Sequence, residues 1–312
     1  MRLKPFAKFS DCAGIDNKTD TIRLGSKKTK INNIVAATNA DVDNNRMVSR
    51  RAGYTELTTG NFHSLWANGA ICLVVEDSIL KRMYEDYTRV NIKTGVNGRW
   101  VSYVDHNGIV YATDGIIIGY VLNGAWNDFP AVTAEMDIDK QSVIDYYTAT
   151  RINPPAGQIV RVFNNRLYVA RNNVIWFSDP MAFHRVKKKG GFIQMDGYVT
   201  LMEPVDDGIW VSDGNTHFLA GMEPNKFNRV LKAEYSAVIN TAVDLNRSLT
   251  GDGSIAGQVK MWSSEKGVCL GASGGQFSNL TLKKYTMPTA KVGAAIYKED
   301  GNKNQYISVL EN

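Results

Sequence analysis

The sequence predicts an all-β protein: a β-propeller-like domain of about five to six blades over residues 61–312, behind an extended N-terminal arm, residues 1–60. Three observations lead there. Residues 162–221 hold two near-copies of one phrase, each a turn, a short β-branched and aromatic run, a polar turn and a second apolar run. The phrase recurs elsewhere at irregular intervals, mostly of blade size. The runs follow one another through glycine turns with no regular helix–strand alternation, which favours a propeller over a sandwich or an α/β fold.

In the first copy Asn164 and Asn165 launch Leu167, Tyr168 and Val169. The chain turns at Arg171, Asn172 and Asn173, then returns through Val174, Ile175, Trp176 and Phe177. In the second, Asp206, Asp207 and Gly208 launch Ile209, Trp210 and Val211; Asp213, Gly214 and Asn215 turn the chain into His217, Phe218 and Leu219. Each is the pattern of an antiparallel hairpin. The same phrase appears at 72–80, 110–118 and 268–277, and more weakly at 296–301. That makes five good hairpin cores and one doubtful one, and repetition at such spacing decides the fold class.

Taken in order, the first sixty residues lack a periodic apolar face. A segment without a core of its own is expected to lie on the repeat domain or on a neighbouring subunit. Residues 65–126 hold the first two repeats, with Trp100, Tyr103, Tyr111 and Tyr120 at strand positions. Residues 131–147, between Pro130 and the pair Pro154 and Pro155, read as a crossover loop or short helix. Residues 227–249 carry Val230, Leu231, Tyr235, Val238, Ile239 and Ala242 at a spacing that suits a helix better than a strand. Strand text resumes at 259–262 and 280–285, and a terminal strand at 306–310 suits ring closure by pairing with an early strand.

Length and composition bound the rest. At 312 residues, with 44% hydrophobic and 21% charged side chains, the chain can bury a full core. It has no apolar run long enough for a membrane-spanning helix, and residues 1–10 lack the apolar stretch of a secretory signal. Cys12, Cys72 and Cys269 lie far apart, which gives neither a disulfide framework nor a zinc spacing. Cys72 and Cys269, at equivalent places in two repeats, read as structural thiols, and a reducing cytosol fits as the site of synthesis. The net charge of +5 is scattered, apart from clusters at 27–30 and at Lys187, Lys188 and Lys189. Each cluster reads as a solvated turn, or as a contact for a phosphate backbone or acidic partner.

Motifs for nucleotide, zinc-protease and serine-hydrolase chemistry are absent from the sequence. His63, His106, His184 and His217 stand apart in different repeats, which suits surface or core roles. Asp77, Asp114, Asp179 and Asp213 sit in or near hairpin turns, where they tempt a glycosidase reading. Turn chemistry explains Asp at such places, because its carboxylate bonds backbone amides two residues on. Trp66, Trp100, Trp126, Trp176, Trp210 and Trp262 are spread about one per repeat, as packing aromatics are. No catalytic residue, metal site or cofactor is assigned.

Two stretches carry a resemblance. Residues 9–16 (FSDCAGID) and 39–54 (NADVDNNRMVSRRAGY) are similar to the opening of tailed-bacteriophage virion proteins of the tail-nozzle and DNA-stabilisation (tail-completion) kind. In those proteins a "GGID" phrase precedes N-V-x-x-D-x-x-G-x-x-x-x-R-x-G-Y/F. Ala13 stands in place of the first glycine and Asn45 in place of the turn glycine. Residues 165–170 (NRLYVA) and 175–180 (IWFSDP) resemble the central repeats of the same family.

The resemblance implies a non-catalytic propeller subunit of a virion neck or tail, made in the host cytoplasm. It would be a homo-oligomeric ring, such as a hexamer, partnered by adaptor, portal or other tail proteins and threaded by phage DNA. On that view Arg46, Arg50, Arg51 and Tyr54 serve arm contacts, while Lys187, Lys188 and Lys189 face DNA or an adjoining acidic surface. A receptor- or glycan-binding propeller at the tail tip, or a propeller glycosidase, is the alternative expectation.

Overall fold

Short β-branched and aromatic runs cut by Asn, Asp and Gly turns fold as meanders of antiparallel strands. The computed structural model describes residues 12–18, 32–43, 45–51, 53, 55–96, 100–133, 141–250, 253–300 and 303–312. Backbone contacts divide the chain into two units, Thr58–Glu234 and, together, Met1–Leu57 with Tyr235–Asn312.

The arm is strand-paired where it is described. β1 (Cys12–Ile15) lies parallel to β2 (Asn32–Ile34), and β3 (Ala40–Val42) forms a hairpin with β4 (Val48–Arg50). Asp43 fixes the hairpin turn: its Oδ1 accepts the N–H groups of Asn45 at 2.9 Å and Met47 at 2.8 Å. The arm rests on later residues of its own unit. Asn17 N–H donates to the Lys284 carbonyl at 2.8 Å, and the Thr286 N–H donates to Asn17 Oδ1 at 2.9 Å.

The unit Thr58–Glu234 is a run of four sheets. The first is β5 (Phe62–Ala67), β6 (Cys72–Glu76), β7 (Ile79–Met83) and β8 (Arg89–Thr94); the second is β9 (Ser102–His106), β10 (Ile109–Thr113), β11 (Ile118–Leu122) and β12 (Ala125–Asp128). An appendage follows, helix α1 (Gln141–Thr150) and the two-residue strand β13 (Arg151–Ile152). The third sheet is β14 (Ile159–Phe163), β15 (Arg166–Arg171), β16 (Val174–Asp179), β17 (Ala182–Lys187) and β18 (Phe192–Gln194). The fourth is β19 (Leu201–Val205), β20 (Gly208–Ser212), β21 (Thr216–Ala220) and β22 (Asn228–Ala233).

Within sheets two and four each strand pairs with the next in sequence. The third sheet departs from this at its outer edge. β17 pairs with β16 at Ser178 and Asp179, while β18 pairs with the other half of β16, at Val174, Ile175 and Trp176. β13 pairs in turn with β17.

The second unit carries a fifth sheet: β23 (Val243–Leu245), β24 (Val259–Ser264), β25 (Gly267–Ala272) and β26 (Phe277–Asn279). Beside it stands a long hairpin of β27 (Val292–Asp300) and β28 (Lys303–Glu311). The Tyr306 hydroxyl donates to the Thr241 carbonyl at 2.7 Å and lies 3.0 Å from Ser263 Oγ, so one phenol ties the hairpin to the sheet.

The chain is all-β and β-propeller-like, with five blade-type sheets and one helix among the described residues. The turns explain why. Asn164 (φ 43°) and Asn165 (φ 56°) occupy left-handed backbone and close a two-residue turn between Phe163 and Arg166. Such mirror-image turns match the twist of the flanking strands, and Asn tolerates them.

Between successive sheets lie apolar clusters. Leu73, Val75, Tyr103 and Val110 join the first and second sheets, Tyr111, Val160, Val169 and Phe183 the second and third, and Tyr168, Phe177, Met202 and Ile209 the third and fourth. Trp210 and Trp262 are fully buried, as packing aromatics. Truncating either would remove about 3–5 kcal/mol of stability.

Two expectations are corrected. The helical spacing over 227–249 is overridden: β22 and β23 form there instead. β21 needs a partner for its outer edge, and the residues 228–233 supply it, Val230 opposite Phe218 and Leu231 opposite His217. Among the described residues the terminal strand pairs with no early one; its nine residues pair with β27, from Asp300 opposite Lys303 at the turn to Val292 opposite Glu311 at the open end. A hairpin of consecutive strands closes a much shorter loop than a long-range pairing does.

A partly buried charge network sits on the fourth sheet. Arg229 Nη2 contacts Asp196 Oδ2 at 2.7 Å, Asp213 Oδ2 at 2.9 Å and His217 Nε2 at 2.8 Å. His217 Nε2 also lies 3.2 Å from Asp213 Oδ1, so the ring nitrogen sits between a guanidinium donor and a carboxylate acceptor. Burial, and next the Arg229 guanidinium, hold His217 below its ordinary pKa against the opposite pull of Asp213 and Asp196.

Two outcomes follow from this packing. A Cβ on Gly157 would overlap the Ala170 carbonyl, a backbone atom that cannot swing aside. Gly157→Ala is expected to cost about 3 kcal/mol in urea unfolding, whereas Gly253→Ala, with open space around it, should stay within about 0.5 kcal/mol of the parent. The unfolded chain takes up a proton at His217 at higher pH than the folded chain does. Stability is therefore complete above about pH 6.5 and declines as the pH falls through that value. The thermal midpoint is expected to drop between about pH 7.5 and about pH 5.5, and His217→Gln should flatten that slope.

Candidate functional site

The arm residues separate into engaged and unengaged charges. Arg51 Nε donates to the buried Asp41 carboxylate at 2.9 Å, and its N–H to the Asn39 carbonyl at 2.8 Å, so it braces the β3–β4 hairpin. Arg46 and Arg50 are exposed, and among the described residues neither side chain has a hydrogen bond or ion pair. Arg46 adopts φ 63° in the turn, and its carbonyl accepts the Cys12 N–H at 3.0 Å. Tyr54 and the basic cluster at 27–30 lie outside the described residues.

Lys187, Lys188 and Lys189 fall where the third sheet splits its outer edge. All three are exposed: Lys187 ends β17, and Lys188 and Lys189 begin the excursion before β18 rejoins the sheet. Lys188 is tied down: its Nζ donates to the Thr148 carbonyl at 2.9 Å and its N–H to the Thr150 carbonyl at 3.0 Å. It thereby satisfies the open carbonyls at the C-terminal end of α1, where a cation is also favoured by the helix dipole. Lys187 and Lys189 have no side-chain partner among the described residues.

Helix α1 contains no fully buried residue. It is held at its last turn by Tyr147, whose ring lies 5.5 Å from the Arg151 guanidinium and 5.7 Å from that of Arg185. Arg151 also pairs with Asp179 at 2.8 Å. Tyr146, one residue away, is 57% exposed. The edge is thus basic, with aromatic side chains between the cations.

A separate concavity, about 430 Å³, opens in the same unit. Trp100, Asp114, Gly115, Ile116, Arg171 and Tyr198 are among its lining residues, with Gly157, Gln158 and Asn172. They come from the β10–β11 turn, the β15–β16 turn and the segments that lead into β9, β14 and β19. In an up-and-down meander those places lie at one end of the strands, which is why residues so far apart in sequence meet.

The wall of this concavity is rigid. Asp114 Oδ1 accepts the N–H groups of Ile116 and Ile117, each at 2.8 Å. Gln158 spends its amide on the backbone, donating to the carbonyls of Asn172 at 2.9 Å and Val199 at 3.1 Å and accepting the Asn172 N–H at 2.9 Å. Thr113 Oγ1 receives the Gly157 N–H at 3.1 Å. Arg171 is exposed, and its guanidinium has no partner among the described residues.

Three of the four turn acids are engaged in bonds or ion pairs. Asp114 caps its own turn, Asp179 pairs with Arg151, Asp213 belongs to the Arg229 network, and Asp77 is exposed in a turn with φ 50°. Cys269 is fully buried and its thiol is pushed up to about 11 by burial. Among the described residues no group of three or more His, Cys, Asp or Glu is placed to hold a metal ion, and no helix is long and apolar enough to cross a membrane.

Sequence reasoning reached the lysines and the arm but not the concavity. Arg171 and Asn172 were legible as a turn and Trp100 as a strand aromatic; what hid their convergence is that it arises from sheet stacking, not from local spacing.

No protein-family profile and no curated protein matches the chain. Among solved structures it is similar to BBS1N, crystallised in complex with ARL6DN, at 11% identity, covering 87% of this chain and 83% of that one with a TM-score of 0.49. A second is virginiamycin B lyase from Staphylococcus aureus, at 8% identity, 80% and 84% coverage and a TM-score of 0.46. A third is Hsv2 from Kluyveromyces lactis, at 8% identity, 86% and 75% coverage and a TM-score of 0.36.

Proposed function

We propose that this chain is a structural component of a tailed-bacteriophage virion, a non-catalytic subunit of a neck or tail ring of the nozzle or tail-completion kind. Genomic DNA would be retained behind that ring and ejected through it. The observation that carries this reading is a set of exposed cations without side-chain partners among the described residues. Arg46, Arg50, Lys187 and Lys189 are exposed and unpaired among the described residues.

Such charges suit repeated contacts between identical subunits, with an adaptor or portal protein, or with a passing phosphate backbone. Arg46 and Arg50 lie within one of the segments that carry the family resemblance. α1 adds a second supporting feature, since a helix with no fully buried residue leaves surface for a neighbour to cover. No cofactor enters this reading, and no residue has a catalytic role in it. A receptor- or glycan-binding role at the tail tip, or a glycosidase there, is the second reading. The concavity lined by Trp100, Tyr198 and Arg171 favours binding over hydrolysis, because Asp114, its acidic residue, is engaged in its own turn.

Mass photometry of the purified chain, alone and mixed with phage neck or tail complexes, tests the assembly reading. A closed ring, or recruitment to those complexes, is expected. Arg46→Ala combined with Arg50→Ala should weaken that assembly at least tenfold while leaving thermal stability unchanged. A monomer that ignores virion parts would overturn the proposal.

A further inference from the structure

We infer that the concavity between the β10–β11 and β15–β16 turns binds a carboxylate-bearing sugar, with Arg171 as its anion contact and Trp100 and Tyr198 as its ring contacts. The inference rests on the binding reading of this cavity and does not depend on ring assembly.

Size and lining come first. A volume of about 430 Å³ lies within the roughly 300–1,000 Å³ range of small-molecule sites. The lining mixes two aromatic side chains, Trp100 half-buried and Tyr198 46% exposed, with polar groups. Flat apolar faces beside hydrogen-bonding groups match a pyranose ring, whose C–H faces are apolar and whose rim carries hydroxyls. The Asn172 side-chain amide is exposed and without a partner among the described residues, so it offers both a donor and an acceptor to such hydroxyls.

Charge then selects the acid. Arg171 presents a planar fork of donors that fits a carboxylate in two parallel bonds. It contributes the one basic side chain among the lining residues, and Asp114 stands in the same lining. One free cation with a carboxylate nearby suits a monoanion and disfavours the doubly charged phosphate. The walls are already set by the bonds of Asp114, Gln158 and Thr113 to backbone groups, so a ligand meets a preformed surface and little ordering opposes binding.

A glycan array probed with the full chain tests this. The array carries uronate- and sialate-terminated oligosaccharides beside their neutral counterparts. Capture of acidic glycans over neutral ones is expected, weakening as salt is added. Arg171→Gln should reduce that capture at least tenfold, and Trp100→Ala should reduce it comparably, with both variants retaining the parent's circular dichroism. Lys187→Ala, Lys188→Ala and Lys189→Ala together should leave it intact.

Capture of neutral glycans equal to that of acidic ones, or unchanged capture by Arg171→Gln, overturns the inference but leaves glycan binding standing. Loss confined to the lysine variant assigns the acidic capture to the outer edge and overturns it too. Absence of any capture overturns both the inference and the binding reading of the cavity.

Discussion

The unit Thr58–Glu234 depends on how the first strands of successive sheets meet without sharing a backbone ladder. Each sheet is hydrogen-bonded internally, so the N–H groups on the free side of a first strand need other partners. Side chains supply them. Ser64 Oγ receives the Val101 N–H at 2.7 Å, and Ser102 Oγ receives the Val160 N–H at 3.1 Å. Arg161 reaches both ways, from Ser102 Oγ at 3.0 Å to the buried carboxylate of Glu203. Gln158 extends the chain of contacts to the Val199 carbonyl. A group left unmatched at such a seam costs about 1–3 kcal/mol, so small hydroxyls at these places matter as much as the large apolar residues beside them.

That seam also explains how much of the molecule could be read in advance. Hairpins were legible because they are local: Asn164 and Asn165 need left-handed backbone, and the β-branched runs around them need a pleated surface. The class of the fold and the strand pairs β6–β7, β10–β11, β15–β16 and β20–β21 follow from such signals. Residues 227–249 misled because apolar spacing reports which side chains are buried, not which backbone partner an open edge demands. Leu231, half exposed on β22, fits a helical stripe on paper and an edge strand in the molecule.

The sites divide along the same line. A run of lysines is visible as a run, and Arg46, Arg50 and Arg51 stand close together, yet only geometry separates Arg51, bonded to Asp41, from its two unengaged neighbours. The cavity is less legible still. Trp100 and Asp114 flank strands of the second sheet, Arg171 of the third and Tyr198 of the fourth, and they share only their position at one end of the strands. His217 likewise has no signal as a lone histidine in a strand, and joins a charge network only because β22 brings Arg229 beside it.

The divided edge of the third sheet has a mechanical meaning. β17 holds β16 through two residue pairs and β13 through two more, whereas β18 holds the remaining half of β16 through three. A pull on α1 would load the two-pair ladder of β13 first, because β17 is anchored by the buried Phe183 and Val186. If α1 and β13 parted from the sheet, β17 and β18 would still cover the rim of β16, so the edge that invites aggregation would not open there.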